Sequence, residues 1–365
     1  MTMGTTINGE RVKQAREIRG LTQAELARLV GVNQSNIARV ESGTLAASET
    51  LASTIALHTD FPRLFFEQDS GPEFPLGSLL FRKKSRLKSG ERSLVRQVAR
   101  LAFELYEKVS KNFQPYETTI PRLSESPELA AMITRSALGY SPDMPISDLV
   151  RRLERNGVTA LAVPCPIKDH DAFSLWTDGD PRRPTVVLTA GKSGDRMRFS
   201  LAHELGHLVL HQAVMGSRSE VESEADIFAS EFLMPAETIR RELKAPLTLT
   251  RLVELKQVWM VSVQALVMRA RALDLISERQ KKYLYQQISQ RGWRTEEPAR
   301  IESERPRLLR KMIETVYGSF FDYGRVASLI SAPARIVEQL LDCYAGPPNS
   351  EREPKSSNLI VFRAR

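Results

Sequence analysis

Hydrophobic residues recur every three to four positions along most of the chain, a spacing that predicts a mainly helical protein. The first segments that show it are short and close together: 11–19, 22–30 and 34–41. Further helices are predicted at about 91–110, 146–155, 221–233, 249–256 and 262–273. Three short runs rich in Val, Leu and Thr predict strands instead: 158–163, 173–177 and 185–189. We therefore expect an α+β fold, mostly α with a small antiparallel β-sheet.

The first 50 residues carry the start and stop signals of a helix-turn-helix. Thr22 and Glu25 form the [ST]-x-x-E pattern of a capping box at the start of the second helix. The tight turn Gly31-Val32-Asn33 follows, and Asn33 can cap the third helix, as Ser48 can cap a fourth. A turn this short lets the third helix project from its partner. The pattern predicts an N-terminal helix-turn-helix bundle.

The strongest chemical signal is His203-Glu204-Leu205-Gly206-His207, an H-E-x-x-H pattern in a stretch that we expect to be helical. Two histidines four residues apart lie on one helix face, where both rings can reach a single zinc ion. Glu204 stands beside them and can accept a proton from water at the metal. A catalytic zinc has three protein ligands and one open position, so a third ligand should come from elsewhere in the chain.

The segment 221–233 supplies the candidates for that third ligand. In a helix, Glu222 and Asp226 share a face with Ala225, whose small side chain lets this helix approach the histidine helix. We expect Glu222 to be the ligand and Asp226, one turn on, to orient a histidine ring. Glu224 is the alternative, but it points about 200° away from Glu222.

His211 completes a group of three histidines within nine residues, in a chain that has five. Its position argues against a role as ligand. At about 1.5 Å of rise per residue, it lies roughly 12 Å from His203 along a continuous helix, too far for one tetrahedral ion. We expect His211 to pack or to hydrogen-bond beneath the site.

Two separate blocks of this region resemble the ImmA/IrrE family of zinc metallopeptidases. The first is the run from Arg198 to His211, and the second is Glu-Ala-Asp-x-Phe-Ala followed by Phe-Leu-Met-Pro. The resemblance covers roughly 75–245 and implies a zincin-like endopeptidase that cleaves a transcriptional repressor. Fusion to a helix-turn-helix bundle adds an antitoxin-type protein as a second candidate substrate. By position it implies Glu204 as the catalytic base and the following Zn²⁺ ligands: His203, His207 and Glu222.

The N-terminal segment resembles the XRE family of DNA-binding regulators. Leu21–Ala27 and Ile37–Gly43 carry the resemblance, which spans about 8–62. It implies that the third helix enters the major groove of an operator in double-stranded DNA and that Gln23 contacts phosphate. Asn and Gln suit adenine and Arg suits guanine, so four outward residues are expected to read base edges. They are Gln34, Ser35, Asn36 and Arg39.

Charge adds a second candidate DNA surface. The net charge of +8 and the pI near 9.5 suit an anionic partner, although residues 1–68 are almost balanced. Arg92, Arg96 and Arg100 repeat every four residues along a predicted helix. This stripe can lie along phosphates, although a row of charges is more often a solvated helix face.

We expect four parts in the chain: a DNA-binding domain (1–68), a peptidase domain (75–245), a C-terminal helical region (246–345) and a mobile tail (346–365). The C-terminal region contains a helix pair that resembles a further helix-turn-helix. Met260 stands in its turn, where that pattern favours glycine, so we expect this pair to pack against the peptidase.

The sequence thus favours a transcription regulator that joins a DNA-binding head to a zinc peptidase. Two cysteines, no secretory signal and no long apolar run lead us to expect a cytoplasmic protein without a membrane partner. Paired operator half-sites favour a homodimer. Two alternatives stay open: the zinc domain is a non-catalytic sensor or dimerisation unit, or the helix-turn-helix docks a protein rather than DNA.

Overall fold

Helices make up most of the secondary structure, so the predicted α+β class, mostly α, is confirmed. The computed structural model describes residues 7–71, 89–114, 116–164, 172–177, 182–211 and 217–346. The predicted mobile tail lies outside these residues from position 347 onward. Within the described residues, no helix is long and apolar enough to cross a membrane.

The N-terminal bundle consists of α1 (Gly9–Ile18), α2 (Gln23–Val30), α3 (Gln34–Glu41), α4 (Glu49–Thr59) and a 3₁₀ turn (Arg63–Glu67). The predicted capping box of Thr22 and Glu25 is present, and the Ser48 side chain caps α4. Gly31 ends α2 at φ +72°, a conformation that glycine adopts without strain. The predicted side-chain cap by Asn33 is wrong, because its backbone carbonyl, 3.0 Å away, accepts from the Asn36 N–H instead.

Helix α5 (Ser89–Ser110) docks the N-terminal bundle onto the rest of the molecule. Val98 and Leu105 share a hydrophobic cluster with the buried face of α1. Inside this contact, the Arg11 guanidinium donates two hydrogen bonds, of 2.7 and 2.8 Å, to the two carboxylate oxygens of Glu104. Both side chains are buried, so the bundle and α5 are joined by a desolvated ion pair as well as by apolar packing.

The arginine stripe of α5 turns toward α1, so its interpretation as a phosphate-binding face is wrong for at least two of its members. Arg96 pairs with Glu17 of α1 at 3.4 Å. Arg100 is 8 % exposed and donates to the Gly71 carbonyl at 2.8 Å. The regular spacing does indicate one face of a helix, but that face packs against α1, which carries acidic residues.

The sheet contains β1 (Thr159–Val163), β2 (Ala172–Trp176) and β3 (Pro184–Thr189) in the order β1-β3-β2. It is mixed, because β3 pairs antiparallel with β2 but parallel with β1. The prediction of an antiparallel sheet was therefore wrong in this respect. Successive strands do alternate in direction along the chain, so β1 and β3 run the same way. Because β3 lies between the other two strands, it pairs with β1 as well as with β2.

Both faces of the sheet are covered, which explains why its strands show little alternation of polar and apolar residues. Leu161, Phe173 and Val187 belong to the cluster that contains α5. Ala160 and Val186 belong instead to the cluster of the following helices: α6 (Pro127–Ala137), α7 (Leu149–Arg155), α8 (Gly194–Leu210), α9 (Arg218–Leu233) and α10 (Ala236–Glu242). The sheet thus separates the N-terminal bundle and α5 from α8 and α9.

The helix pair around Met260 packs into this second cluster, together with the helix after it. The three are α11 (Leu249–Trp259), α12 (Val263–Ala272) and α13 (Glu278–Gln290). Met260 has φ +53°, the left-handed conformation that its turn position requires. Lys256 of α11 is buried and donates to Asp195 of α8 at 2.5 Å, which fixes the pair against the helix that carries the histidines.

The last helices return to the N-terminal half of the molecule. They are α14 (Leu308–Tyr317), α15 (Tyr323–Ser328) and α16 (Ala334–Leu341). Their buried residues join the cluster of α1 and α5. Gln68 donates to the Ser331 hydroxyl at 2.6 Å, and the Tyr344 hydroxyl accepts from the Ala162 N–H on the outer edge of β1 at 3.0 Å. One hydrophobic cluster therefore contains residues from three of the four parts expected from the sequence. The division into four parts stays a prediction.

Candidate metal centre and DNA-binding face

Helix α8 presents two histidine rings on one face. His203 is 2 % exposed, His207 is partly buried, and their Nε2 atoms lie 3.0 Å apart. The four-residue spacing brings the two rings one above the other, as expected for neighbouring turns of a helix.

Helix α9 lies against this face because small residues allow a close approach. A Cβ on Gly206 would lie 3.0 Å from the Phe228 ring, so glycine leaves the room that this ring occupies. Ala225 and Ala229 are fully buried between the helices. The approach carries Glu222 to the histidines: its Oε2 lies 3.8 Å from His203 Nε2, and its Oε1 lies 3.4 Å from His207 Nε2.

A carboxylate and a third histidine hold the far sides of the two rings. Asp226 Oδ1 lies 2.8 Å from Nδ1 of His203. His207 Nδ1 lies 3.0 Å from Nδ1 of His211, whose Nε2 lies 2.8 Å from Glu224 Oε2. Desolvation by burial lowers the pKa of His211, which favours its neutral ring.

These contacts determine which ring nitrogens carry protons. A carboxylate only accepts, so Nδ1 of His203 donates to Asp226 and the Nε2 of that ring keeps its lone pair. Glu224 likewise fixes the proton of His211 on Nε2, and His207 then donates through Nδ1 to His211. With both rings neutral, their Nε2 lone pairs face each other and the Glu222 carboxylate, an arrangement that a bound cation would satisfy.

The distances also fit one small cation. Ligand atoms about 2.1 Å from a tetrahedral zinc lie about 3.4 Å from one another. The donor atoms of His203, His207 and Glu222 are 3.0 to 3.8 Å apart and form a cluster within 4.8 Å. Two imidazoles and one carboxylate are a ligand set that zinc uses when a fourth position stays open.

Glu204 is 3 % exposed and makes a contact that the sequence did not reveal. The Ser174 hydroxyl lies 2.7 Å from Glu204 Oε2 and 3.1 Å from the Glu204 carbonyl. Side chains alternate along β2, so Ser174 and Trp176 point toward α8, where Trp176 Nε1 donates to the Leu208 carbonyl at 3.0 Å. Ser174 stands in an apolar strand 30 residues before Glu204, and nothing in the sequence indicates that the two are in contact. The contact could be predicted only from the position of β2 relative to α8.

The outer face of α3 is polar and largely open to solvent. Gln34, Ser35 and Arg39 are exposed, and Asn36 is half-buried, while Ile37 and Val40 are buried beneath them. All four residues expected to read base edges thus lie on the accessible side of this helix or at its margin.

A hydrogen-bonded network fixes α3 relative to α1 and α2. The buried carboxylate of Glu41 accepts from Arg16 Nε at 2.5 Å and from Gln23 Nε2 at 2.8 Å. Gln23 Oε1 in turn accepts from Gln34 Nε2 at 2.8 Å. Glu41 therefore tethers the helices, and Gln23 joins that buried tether to the exposed start of α3.

Two family models match this chain, one in the N-terminal bundle and one in the region that contains the candidate metal centre. Residues 12–63 match the helix-turn-helix model, and residues 153–271 match the peptidase M78 model, described as the IrrE N-terminal-like domain. The chain thus combines an XRE-type helix-turn-helix with an ImmA/IrrE-like metallopeptidase-family domain, and both resemblances suggested by the sequence are confirmed.

Two individual proteins also match part of this chain. The radiation response metalloprotease IrrE of Deinococcus radiodurans is 32 % identical over 83 residues, which cover 19 % of this chain and 25 % of that protein. The match thus spans about a quarter of the relative. The solved structure of Bacillus thuringiensis PlcR in complex with the peptide PapR7 and DNA is 12 % identical, with a TM-score of 0.15, and covers 80 % of this chain and 98 % of that one.

Proposed function

We propose that this chain is a DNA-binding transcription regulator that also acts as a zinc-dependent endopeptidase on a protein substrate of the repressor or antitoxin type. The convergence of His203, His207 and Glu222 beside the buried Glu204 carries this proposal. The peptidase-family match and the partial similarity to a metalloprotease support it. A cytoplasmic location and a homodimer on paired half-sites are further predictions.

The three converging donors would hold the metal. When bound at such a site, zinc polarises the scissile carbonyl and makes water a better nucleophile at neutral pH. Asp226 keeps the Nε2 lone pair of His203 directed into the site. Ser174 holds one oxygen of Glu204, and we assign to this carboxylate the removal of the proton from the attacking water and its delivery to the leaving amine.

The position of β2 suggests how a substrate is presented. β2 is an outer strand of the sheet, and its Ser174 touches the proposed catalytic base. An extended peptide that adds to an outer strand gains main-chain hydrogen bonds in a fixed register. A polypeptide bound in this way along β2 would pass beside Glu204.

For the DNA-binding half, we assign base reading to α3. Gln34, Ser35, Asn36 and Arg39 would contact base edges in the major groove, and Gln23 would contact phosphate. The tether through Glu41 supports this assignment, because it orders α3 before DNA arrives. Ordering in advance reduces the entropic cost of binding.

One experiment separates this function from its alternatives. The full chain and Glu204→Gln are purified, their zinc content is measured, and each is incubated with any repressor- or antitoxin-type protein found to be encoded beside its gene. We expect about one zinc per chain in both, and substrate cleavage only by the unaltered protein. Cleavage by Glu204→Gln at an undiminished rate would refute the role of this carboxylate. Zinc binding without any cleavage would favour a sensor.

A further inference from the structure

A line of hydrogen bonds leads from the surface of α9 to one of the proposed metal ligands. Glu224 Oε2 lies 2.8 Å from His211 Nε2, and His211 Nδ1 lies 3.0 Å from His207 Nδ1. The Glu224 side chain is 48 % exposed, whereas the side chains of His211 and His207 are about one-tenth exposed. The line thus starts in solvent and ends at a ring whose other nitrogen faces Glu222.

The order of donors along this line is fixed by its outer end. The Glu224 carboxylate can only accept, so the hydrogen of a neutral His211 lies on Nε2. Nδ1 of His211 then has a lone pair and can only accept. His207 must therefore carry its hydrogen on Nδ1, which leaves its Nε2 lone pair directed toward His203 and Glu222.

The two ligand rings are held differently. Asp226 contacts His203 directly, through a single hydrogen bond. Glu224 contacts His207 only through His211, because His207 lies one helical turn farther along α8 than His203. His211 is the residue after the last turn of α8, where its backbone N–H still bonds to the His207 carbonyl at 3.0 Å. This backbone contact places its ring beside that of His207.

We propose that Glu224 and His211 form a positioning relay that keeps His207 in the tautomer with hydrogen on Nδ1 and the lone pair on Nε2. The proposal rests on the function assigned above, because the His207 tautomer matters for function only if His207 binds the metal. Without an acceptor beside Nδ1, the His207 ring can place its hydrogen on Nε2. That hydrogen would point toward His203 Nε2 and the Glu222 carboxylate, and it would oppose the binding of a cation there.

A purely structural role must be distinguished, because the same contacts also join α8 to α9. His211→Phe removes the acceptor beside His207 but keeps a ring of similar size. His211→Asn is the conservative variant, because its Oδ1 can take the position of the ring Nδ1 and accept from His207. Glu224→Gln alters the outer end of the line, and its amide can donate as well as accept. Glu237→Gln, at an exposed carboxylate on α10, is the matched control.

The test uses two measurements on the full chain. Zinc affinity is obtained by competition with a chelator, and the His207 tautomer is obtained from ring ¹⁵N chemical shifts of the metal-free protein. We expect His211→Phe to weaken zinc binding about 10- to 100-fold, the usual effect of losing such an outer contact. Its His207 ring should populate both tautomers. Glu224→Gln should show a smaller change in the same direction, whereas His211→Asn and Glu237→Gln should resemble the unaltered protein.

Thermal melting shows whether each variant is folded before these comparisons are made. An unchanged His207 tautomer in His211→Phe, or zinc affinity equal to that of the unaltered protein, overturns the relay. Equal losses in His211→Phe and His211→Asn also overturn it, because packing would then explain them. If the unaltered protein itself binds no zinc, the proposed function fails, whereas the tautomer comparison still decides whether the relay sets the His207 ring.

Discussion

The hydroxyl of Ser174 lies 2.7 Å from Oε2 of Glu204, and both side chains are buried. The contact joins an outer strand of the sheet to the helix that carries the H-E-x-x-H motif. A carboxylate that accepts a buried hydrogen bond is restricted to one rotamer, so Ser174 fixes the direction in which Glu204 presents its second oxygen.

Ser174→Ala should therefore lower peptidase kcat about tenfold or more, because the base is no longer held in place. Zinc content should not change, since Ser174 lies outside the group of metal donors. The measurement is steady-state cleavage together with metal analysis. Ser136→Ala, at an exposed position of α6, serves as the control. An unaltered kcat in Ser174→Ala would show that Glu204 needs no support from the strand.

The assignment of the third ligand leads to a separate prediction. Glu222→Gln removes the charge that faces both Nε2 atoms, so stoichiometric zinc should be lost after dialysis. Ser223→Ala, one residue along on an exposed position, should keep its zinc. Elemental analysis of the two purified proteins is sufficient. Full zinc occupancy in Glu222→Gln would mean that another residue completes the site.

Periodicity was sufficient to locate the helices of the candidate centre. An apolar repeat predicted a helix over 221–233, and the observed α9 includes all of it. The turn of about 100° per residue then placed Glu222 and Asp226 on one face and Glu224 on another. This angular argument requires only local geometry, and the structure places these three carboxylates accordingly: two beside the rings of the motif and one beside His211.

Contacts between distant segments could not be predicted in the same way. The order of the strands depends on the connections between them, and fully buried strands carry no alternation that would indicate a neighbour. The arginines of α5 look the same in sequence whether they face water, phosphate or the acidic residues of α1. The return of α14 to α16 to the N-terminal core likewise joins segments more than 200 residues apart, as the contact between Gln68 and Ser331 illustrates.

One ion pair connects the DNA-binding bundle to the helix behind the sheet. Glu104→Ala would leave the Arg11 guanidinium buried with no carboxylate, so we expect unfolding to become easier by about 3–5 kcal/mol. Urea denaturation measures this difference. Glu254→Ala, which removes one half of an exposed pair with Arg251, should change stability by less than about 1 kcal/mol. A loss in Glu104→Ala no larger than that in Glu254→Ala would show that the Arg11 guanidinium does not need the Glu104 carboxylate in the folded state.

Glu154 should give the protein a pH-dependent stability near neutrality. Its carboxylate accepts from the N–H groups of Arg307 and Leu308 at the start of α14, both at 2.9 Å. Desolvation by burial outweighs these hydrogen bonds and raises the pKa of Glu154 from 4.5 to about 7. Between these values the folded state binds more protons than the unfolded state, so stability contributed by this group is complete below pH 4.5 and is lost as pH rises through 7.

Glu154→Gln separates this contribution from those of other titrating groups. Glutamine keeps an oxygen for the α14 N–H groups but does not ionise. The unfolding free energy of the unaltered protein, relative to Glu154→Gln, should fall by about 3 kcal/mol between pH 4.5 and pH 8. Urea titrations across this range test the prediction. A constant difference between the two proteins would mean that Glu154 titrates near its ordinary pKa when folded.

Arg39 provides the sharpest test of the DNA-binding half, because it is exposed in the last turn of α3. Loss of a base contact of the kind that arginine makes to guanine costs about 1–3 kcal/mol, which corresponds to about 5- to 150-fold in affinity. We therefore expect Arg39→Ala to weaken binding to DNA from upstream of the gene by that factor in gel-shift titrations.

Arg279→Ala removes the same charge from an exposed position on α13 and should leave affinity within about twofold, since a remote surface charge adds little at physiological salt. Equal losses in the two variants would indicate attraction by net charge alone, and no loss in either would mean that α3 contacts something other than the operator.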